Sequence, residues 1–89
     1  MLGDRLSAAR RSYAVGLHRA DRIGFERGSA GQPPEHAYRR PDYEQSYMQG
    51  WRRGANWNIG RLRGKAKTAA IFAYTSVVYG SALKNLAQM

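Results

Sequence analysis

Six small residues set at four-residue steps restrict this chain more than any other feature. Gly16, Ala20, Gly24 and Gly28 recur at fours, and Gly50 and Gly54 form a second such pair. At a helical period these positions share one face. Glycine costs about 1 kcal/mol against alanine inside a helix, so a stripe of them needs a compensating reason. Close approach of a second backbone is that reason, because no Cβ holds it off. Gly24/Gly28 and Gly50/Gly54 therefore predict two helices that cross closely, with Tyr47 and Trp51 sealing the edges. Small-residue pairs of this kind are best attested in membranes, and their presence in both segments strengthens the signal. A chain break near Gly16, giving two shorter helices, is the alternative.

The first helix is expected over about 4–28, with Asp4 as its cap. Leu6, Ala9, Tyr13, Leu17, Ala20 and Gly24 fall on one face, with Arg5, Arg10, Arg11, Arg19, Arg22 and Arg27 mostly off it. Gly28 or Gly31 can take the left-handed position beyond the helix end, and Pro33-Pro34 cannot continue a helix. Residues 29–41 then form a loop carrying Glu35, His36, Tyr38, Arg39 and Arg40. Asp42-Tyr43-Glu44-Gln45 reads as a capping box behind Pro41, opening a helix from about 43 to 58 or a little beyond. Gly60–Lys67 is a basic, Gly-punctuated joint. Over 66–87, Ile71, Tyr74, Val78, Ala82 and Leu86 follow helical spacing. Ile71–Tyr79 is also rich in β-branched and aromatic residues, so a strand over 71–79 is the alternative.

The fold class expected is all-α: two helices packed across a Gly/Pro loop, plus a C-terminal apolar helix. Its core is expected to hold Leu6, Leu17, Ile23, Phe25, Tyr47, Trp51, Ile71 and Val78. Eighty-nine residues make one small domain, 1–89, with 66–89 as an apolar extension.

Charge narrows the function. Lys+Arg number 15 against 6 Asp+Glu, a formal +9. All but Lys84 of the basic residues, and all the acidic ones, lie within 1–67, leaving 68–83 without charge. Such a basic body expects an anionic partner. Twelve of the cations are Arg, which forks onto phosphate and stacks on bases where Lys acts as a point charge. A merely solubilising surface is the plainer reading of the same charge. The uncharged run of 16 residues falls short of the ~20 that a spanning helix needs, so a membrane is not the expected partner. The charged N-terminus, MLGDRLSAARR, lacks an apolar leader segment, and with no cysteine in the chain a cytoplasmic location is expected.

Catalysis finds little to work with. Without cysteine there is no thiolate nucleophile and no thiolate metal site. His18 and Asp21 are half of a metal site at most, and no phosphate-cradling Gly-rich strand–helix motif occurs. A chain this small buries only about 60–65% of its unfolded surface, which leaves little room for a deep cleft. Neither an enzyme nor a cofactor, metal or small-molecule substrate is expected.

Aromatic residues interleave with the basic ones instead. Tyr38 precedes Arg39-Arg40, Trp51 precedes Arg52-Arg53, and Trp57 precedes Arg61, Arg63, Lys65 and Lys67. Rings and guanidinium planes stack on unpaired bases while the charge meets phosphate. With Arg10, Arg11, Arg19, Arg22 and Arg27, these cations form the candidate nucleic-acid surface. Trp51, at helical spacing from Tyr47, suits a core better than a platform.

Residues 20–57 resemble the ribosome modulation factors, short basic bacterial proteins tied to ribosome hibernation. The likeness rests on Gly24-Phe25-Glu26-Arg27-Gly28-Ser29-Ala30-Gly31, on the loop aromatic Tyr38, and on Tyr47-Met48-Gln49-Gly50-Trp51-Arg52-Arg53-Gly54-Ala55. His36-Ala37 stands where the family often has Cys-Pro, and Met1–Arg19 and Asn58–Met89 extend beyond the likeness. The resemblance implies two helices packed across a loop that bind small-subunit ribosomal RNA near the messenger-binding region and modulate translation. Two other functions fit the composition. One is a protein-interaction inhibitor, of phage or mobile-element type, acting on a nucleic-acid-handling complex. The other is a non-specific duplex-DNA binder. The neutral tail is expected to contact a protein partner or to form a homodimer through 66–89.

Overall fold

A computed structural model of the protein describes the backbone of residues 2–87 and the side chains of residues 8–80. Three helices occur in order, α1 (Leu2–Ser29), α2 (Pro41–Arg61) and α3 (Gly64–Ala87). No strand forms among the described residues, and 71–79 is helical throughout. Its β-branched content is overridden by the helical spacing of the residues that α3 turns toward α2. Leu6, the Asp4 cap, Ala82 and Leu86 lie outside the described side chains.

α1 runs unbroken through Gly16. The continuity has a packing cause, since the Tyr43 ring lies where a Cβ at Gly16 would sit, with Cε1 2.8 Å from that point. α1 then ends in a Schellman motif. Gln32 N donates to Arg27 O (3.1 Å), Gly31 N donates to Gly28 O (3.0 Å), and Gly31 takes φ +74°. Gly31, not Gly28, therefore makes the left-handed turn.

α2 starts earlier and differently than a capping box requires. Arg40 is the residue at the N-cap, no side chain caps the helix, and Pro41 stands at its first position. Asp42 is already inside the first turn. Its carboxylate accepts from Tyr13 Oη (2.6 Å), Arg40 Nη2 (3.1 Å) and Tyr43 N (2.9 Å). A proline at this position suits the helix start because the missing N–H has no intrahelical partner to lose.

The two helices lie side by side in parallel. Tyr13 meets Asp42, Leu17 O accepts from Ser46 Oγ, Asp21 meets Gly50 and Arg53, and Phe25 meets Gly54. Both residue numbers rise together along the contact. The chain must therefore travel back from Ser29 to the level of Tyr13, about 24 Å at the helical rise. Residues 30–40 can cover this, since extended chain spans up to ~3.6 Å per residue. This return segment lies as a strap across one side of the pair.

The glycines make that pairing close. A Cβ at Gly24 would land on Tyr47 O and stand 2.9 Å from Trp51 N; at Gly28 it would land on Trp51 O. Reciprocally, a Cβ at Gly50 would land on Asp21 O, and at Gly54 on Phe25 O. Each helix thus sets its glycines against the other's carbonyls, a spacing at which Cα–H···O contacts form.

The core beside this seam is small: Ala20, Tyr47, Trp51 and Ala55, with the buried polar Asn58. Leu17, Phe25 and Val78 are half-buried. Ile23 is 40% and Ile71 44% exposed, so neither belongs to the core. Each sits off the residues that face α2, which the small-residue stripe of α1 and the Ala70/Tyr74/Val77 side of α3 occupy. α3 attaches chiefly through Tyr74, whose ring stacks on Trp51 at 5.7 Å with planes 5° apart.

Candidate nucleic-acid interface

Two hydrogen bonds fix the strap. Trp51 Nε1 donates to Gln32 O (2.8 Å), and Glu35 N donates to Tyr47 Oη (2.9 Å). Both core aromatics thereby satisfy their polar atoms on strap backbone, as buried Trp and Tyr require. Arg27 reinforces the hold by donating to Pro33 O (2.5 Å) and Gln32 Oε1 (3.2 Å) and pairing with Glu35 at 2.8 Å.

Fixing the strap positions a row of rings. His36 and Tyr38 lie nearly parallel at 5.6 Å, Tyr38 and Tyr43 nearly parallel at 6.1 Å, and Tyr43 tilts against Tyr13 at 5.8 Å. Tyr38 and Tyr43 form one wall of an open depression whose other lining is Gly16, Arg19 and Ile23 of α1. The exposed Ile23 is its apolar contribution from α1. The Arg40 guanidinium stacks over Tyr13 (5.4 Å) and Tyr43 (5.1 Å).

Hydrogen bonding also sets the titration of this corner. The bond to Asp42 raises the Tyr13 phenol above its usual value, with the carboxylate's charge acting the same way. Asp42 is held below the ordinary carboxylate range, first by the Tyr13 bond, which outweighs the opposing effect of desolvation, and further by Tyr43 N and Arg40.

The expected contact residues divide by occupation. Arg27 is committed to the strap, Arg40 to Asp42 and two rings, and Arg53 to Asp21 (2.5 and 3.4 Å) with its guanidinium over Phe25 at 5.3 Å. Arg22 pairs with Glu26 at 3.4 Å on an exposed turn. Arg61 donates to Asn58 Oδ1 (3.2 Å) and stacks over Trp57 at 4.9 Å. By contrast, Arg10, Arg11, Arg19, Arg39, Arg52, Arg63, Lys65 and Lys67 are exposed and have no ion-pair partner among the described residues.

Five of these eight cations lie near aromatic residues or the α2–α3 joint, while Arg10, Arg11 and Arg52 lie on the outer faces of α1 and α2. Arg19 lines the depression, and Arg39 follows Tyr38 in the strap. Arg63, Lys65 and Lys67 follow the α2–α3 joint, where Gly64 turns the chain at φ +64°, close to the exposed Trp57 and Arg61. Gly24, Gly28, Gly50, Trp51 and Gly54 lie in the helix seam and Gly31 at its end, behind these surfaces rather than on them. Tyr43 and Ile23 join the depression, with Tyr13 and His36 in ring contact beside it, although the sequence pattern assigned none of them a contact. Their signal was faint: Tyr43 and Tyr13 look like ordinary members of helical stripes until the parallel register brings them together.

The depression suits a planar, anionic ligand. A flat ring can lie against Tyr38 and Tyr43 while a phosphate reaches Arg19, which lines the same depression. Among the described residues, no three His, Asp or Glu side chains gather as a metal site, and no helix is long and apolar enough to cross a membrane. No protein-family model matches the chain, and neither the curated proteins nor the solved structures provide a match.

Proposed function

We propose that this protein is a small RNA-binding module that acts on the ribosome and modulates translation. One observation carries the reading: the Tyr38 and Tyr43 rings line one open depression together with Arg19, an exposed cation that has no ion-pair partner among the described residues, and the exposed Arg39 follows Tyr38 in the strap. Stacking of an unpaired base on such a wall is worth about 1–3 kcal/mol, and adjacent guanidinium groups add phosphate contacts. Structured RNA offers unpaired bases in loops and bulges, whereas duplex DNA keeps them stacked inside. The resemblance of residues 20–57 to ribosome modulation factors supports ribosomal RNA as the target, because the glycines that carry it are those of the α1–α2 seam.

Sedimentation of a host lysate through a sucrose gradient tests the proposal. At low salt the protein is expected to travel with ribosomal particles, and Tyr38→Ala or Arg39→Ala to shift it toward the top. A native protein that stays at the top would end the ribosomal reading. Competition at ~150 mM salt separates the ligands, since equal affinity for duplex DNA and structured RNA would favour general nucleic-acid binding driven by phosphate charge.

A further inference from the structure

The exposed apolar residues of this chain are not evenly placed. Within nine residues of α3, Ile71 is 44%, Phe72 70% and Tyr79 64% exposed. Ala70, Ala73, Tyr74 and Val77 line a cleft of about 250 Å³ against Trp51, Ala55 and the strap, which fixes how α3 is turned. Phe72 and Tyr79, seven residues apart and so on one stripe, lie on the side away from that cleft. Thr75 and Ser76 sit between them.

Charge decides what can cover this face. Residues 68–83 carry no ionisable acid or base of the Asp, Glu, Lys or Arg kind, in a chain whose net charge is +9. An uncharged stripe offers a nucleic acid no phosphate contact, and phosphate contacts dominate its affinity. A second copy of this chain would be repelled at the basic surfaces of α1, the strap and α2. Among the described residues, the outer face of α3 between Thr68 and Gly80 is a surface where two copies can meet without opposing like charges.

The stripe is also self-complementary. In an antiparallel pair of α3 helices centred between Thr75 and Ser76, Phe72 of one copy lies opposite Tyr79 of the other, and the contact repeats across the two-fold axis. Such an isologous arrangement is the commonest form of protein dimer. The two aromatic pairs supply the apolar contact, and the small Thr75 and Ser76 at the centre let the helices approach. We propose that the protein self-associates as an antiparallel dimer through the Phe72/Tyr79 face of α3, leaving the ring-lined depression of each copy open.

Light-scattering mass measurement on the full chain, from about 5 to 200 µM at 50 and 500 mM salt, tests this. The mass is expected to rise toward twice that of one chain, and to do so at lower protein concentration in high salt, because screening relieves the repulsion between basic bodies. Nucleic-acid binding has the opposite salt dependence. Phe72→Glu and Tyr79→Glu are each expected to restore the single-chain mass at all concentrations, with an unchanged far-ultraviolet circular dichroism spectrum, since both side chains are largely exposed. A single-chain mass for the native protein throughout, or a dimer indifferent to both substitutions, would overturn the proposal. So would a single-chain mass combined with Phe72-dependent sedimentation on vesicles of anionic phospholipid, which would assign the face to lipid.

Discussion

Replacing Gly50 by alanine tests the helix seam directly. The added Cβ would fall on Asp21 O, with Asp21 C 2.7 Å and Asp21 Cα 3.0 Å away. All three atoms are backbone, so no flexible side chain can swing aside. The helices must part instead, which also loosens Gly24, Gly28 and Gly54 and uncovers Tyr47 and Trp51. Overpacking of a tight interior costs about 1–3 kcal/mol, and more where nothing can yield. Alanine returns about 1 kcal/mol of helix propensity. A net loss of ~2 kcal/mol is therefore expected, equivalent to a fall of roughly 8–16 °C in Tm for a domain of this size. Gly60→Ala is the matched control, since nothing lies within 4 Å of a Cβ there and α2 gains propensity without a clash. It should raise Tm by a few degrees. Thermal unfolding followed by circular dichroism gives both values. A Gly50→Ala variant as stable as Gly60→Ala would refute the close parallel seam.

Removing single hydroxyls tests the strap and its corner. Tyr47→Phe leaves Glu35 N without its partner and should cost ~1 kcal/mol, read as a lower Tm and faster hydrogen exchange at the Glu35 amide. Tyr13→Phe tests the Asp42 bond through pH. Asp42 titrates below its reference of 3.8 in the folded chain, so its contribution is present above that pH and is lost as pH falls through the lowered value. Tyr13 titrates above 10.0, so its contribution is present below that pH and is lost as pH rises through the raised value. The Tm gap between native and Tyr13→Phe proteins should accordingly be widest between about pH 5 and 9 and close toward both extremes.

The seam was legible because glycine at four-residue steps has one economical explanation, and the positions it named are those that meet the opposing carbonyls. Direction was not legible. Gly24/Gly28 against Gly50/Gly54 fits parallel and antiparallel pairing alike, and the strap that settles it, residues 30–40, has no periodicity to read. Asp42 was misread as a cap because its strongest partner, Tyr13, is 29 residues away. Arg53 and Arg27 looked like free contact residues for the same reason: Asp21 stands 32 residues from Arg53, and the carbonyl of Pro33 is no visible acceptor in a sequence. Ile23 and Ile71 were placed in the core on hydropathy, yet close helix packing leaves room there for alanine and glycine rather than for isoleucine.

Equilibrium titration of a structured, loop-containing RNA across a salt series tests the functional account most directly. Five phosphate contacts predict a log–log slope of about −3.5 to −4.5, and Arg19→Ala should lower its magnitude by about 0.7–0.9. Tyr38→Ala should weaken binding by ~1–3 kcal/mol while leaving the slope unchanged, because stacking releases no counterions. Absence of binding at low salt, or a native affinity in the Tyr38→Ala variant, would contradict a ring-lined RNA site between α1 and the strap.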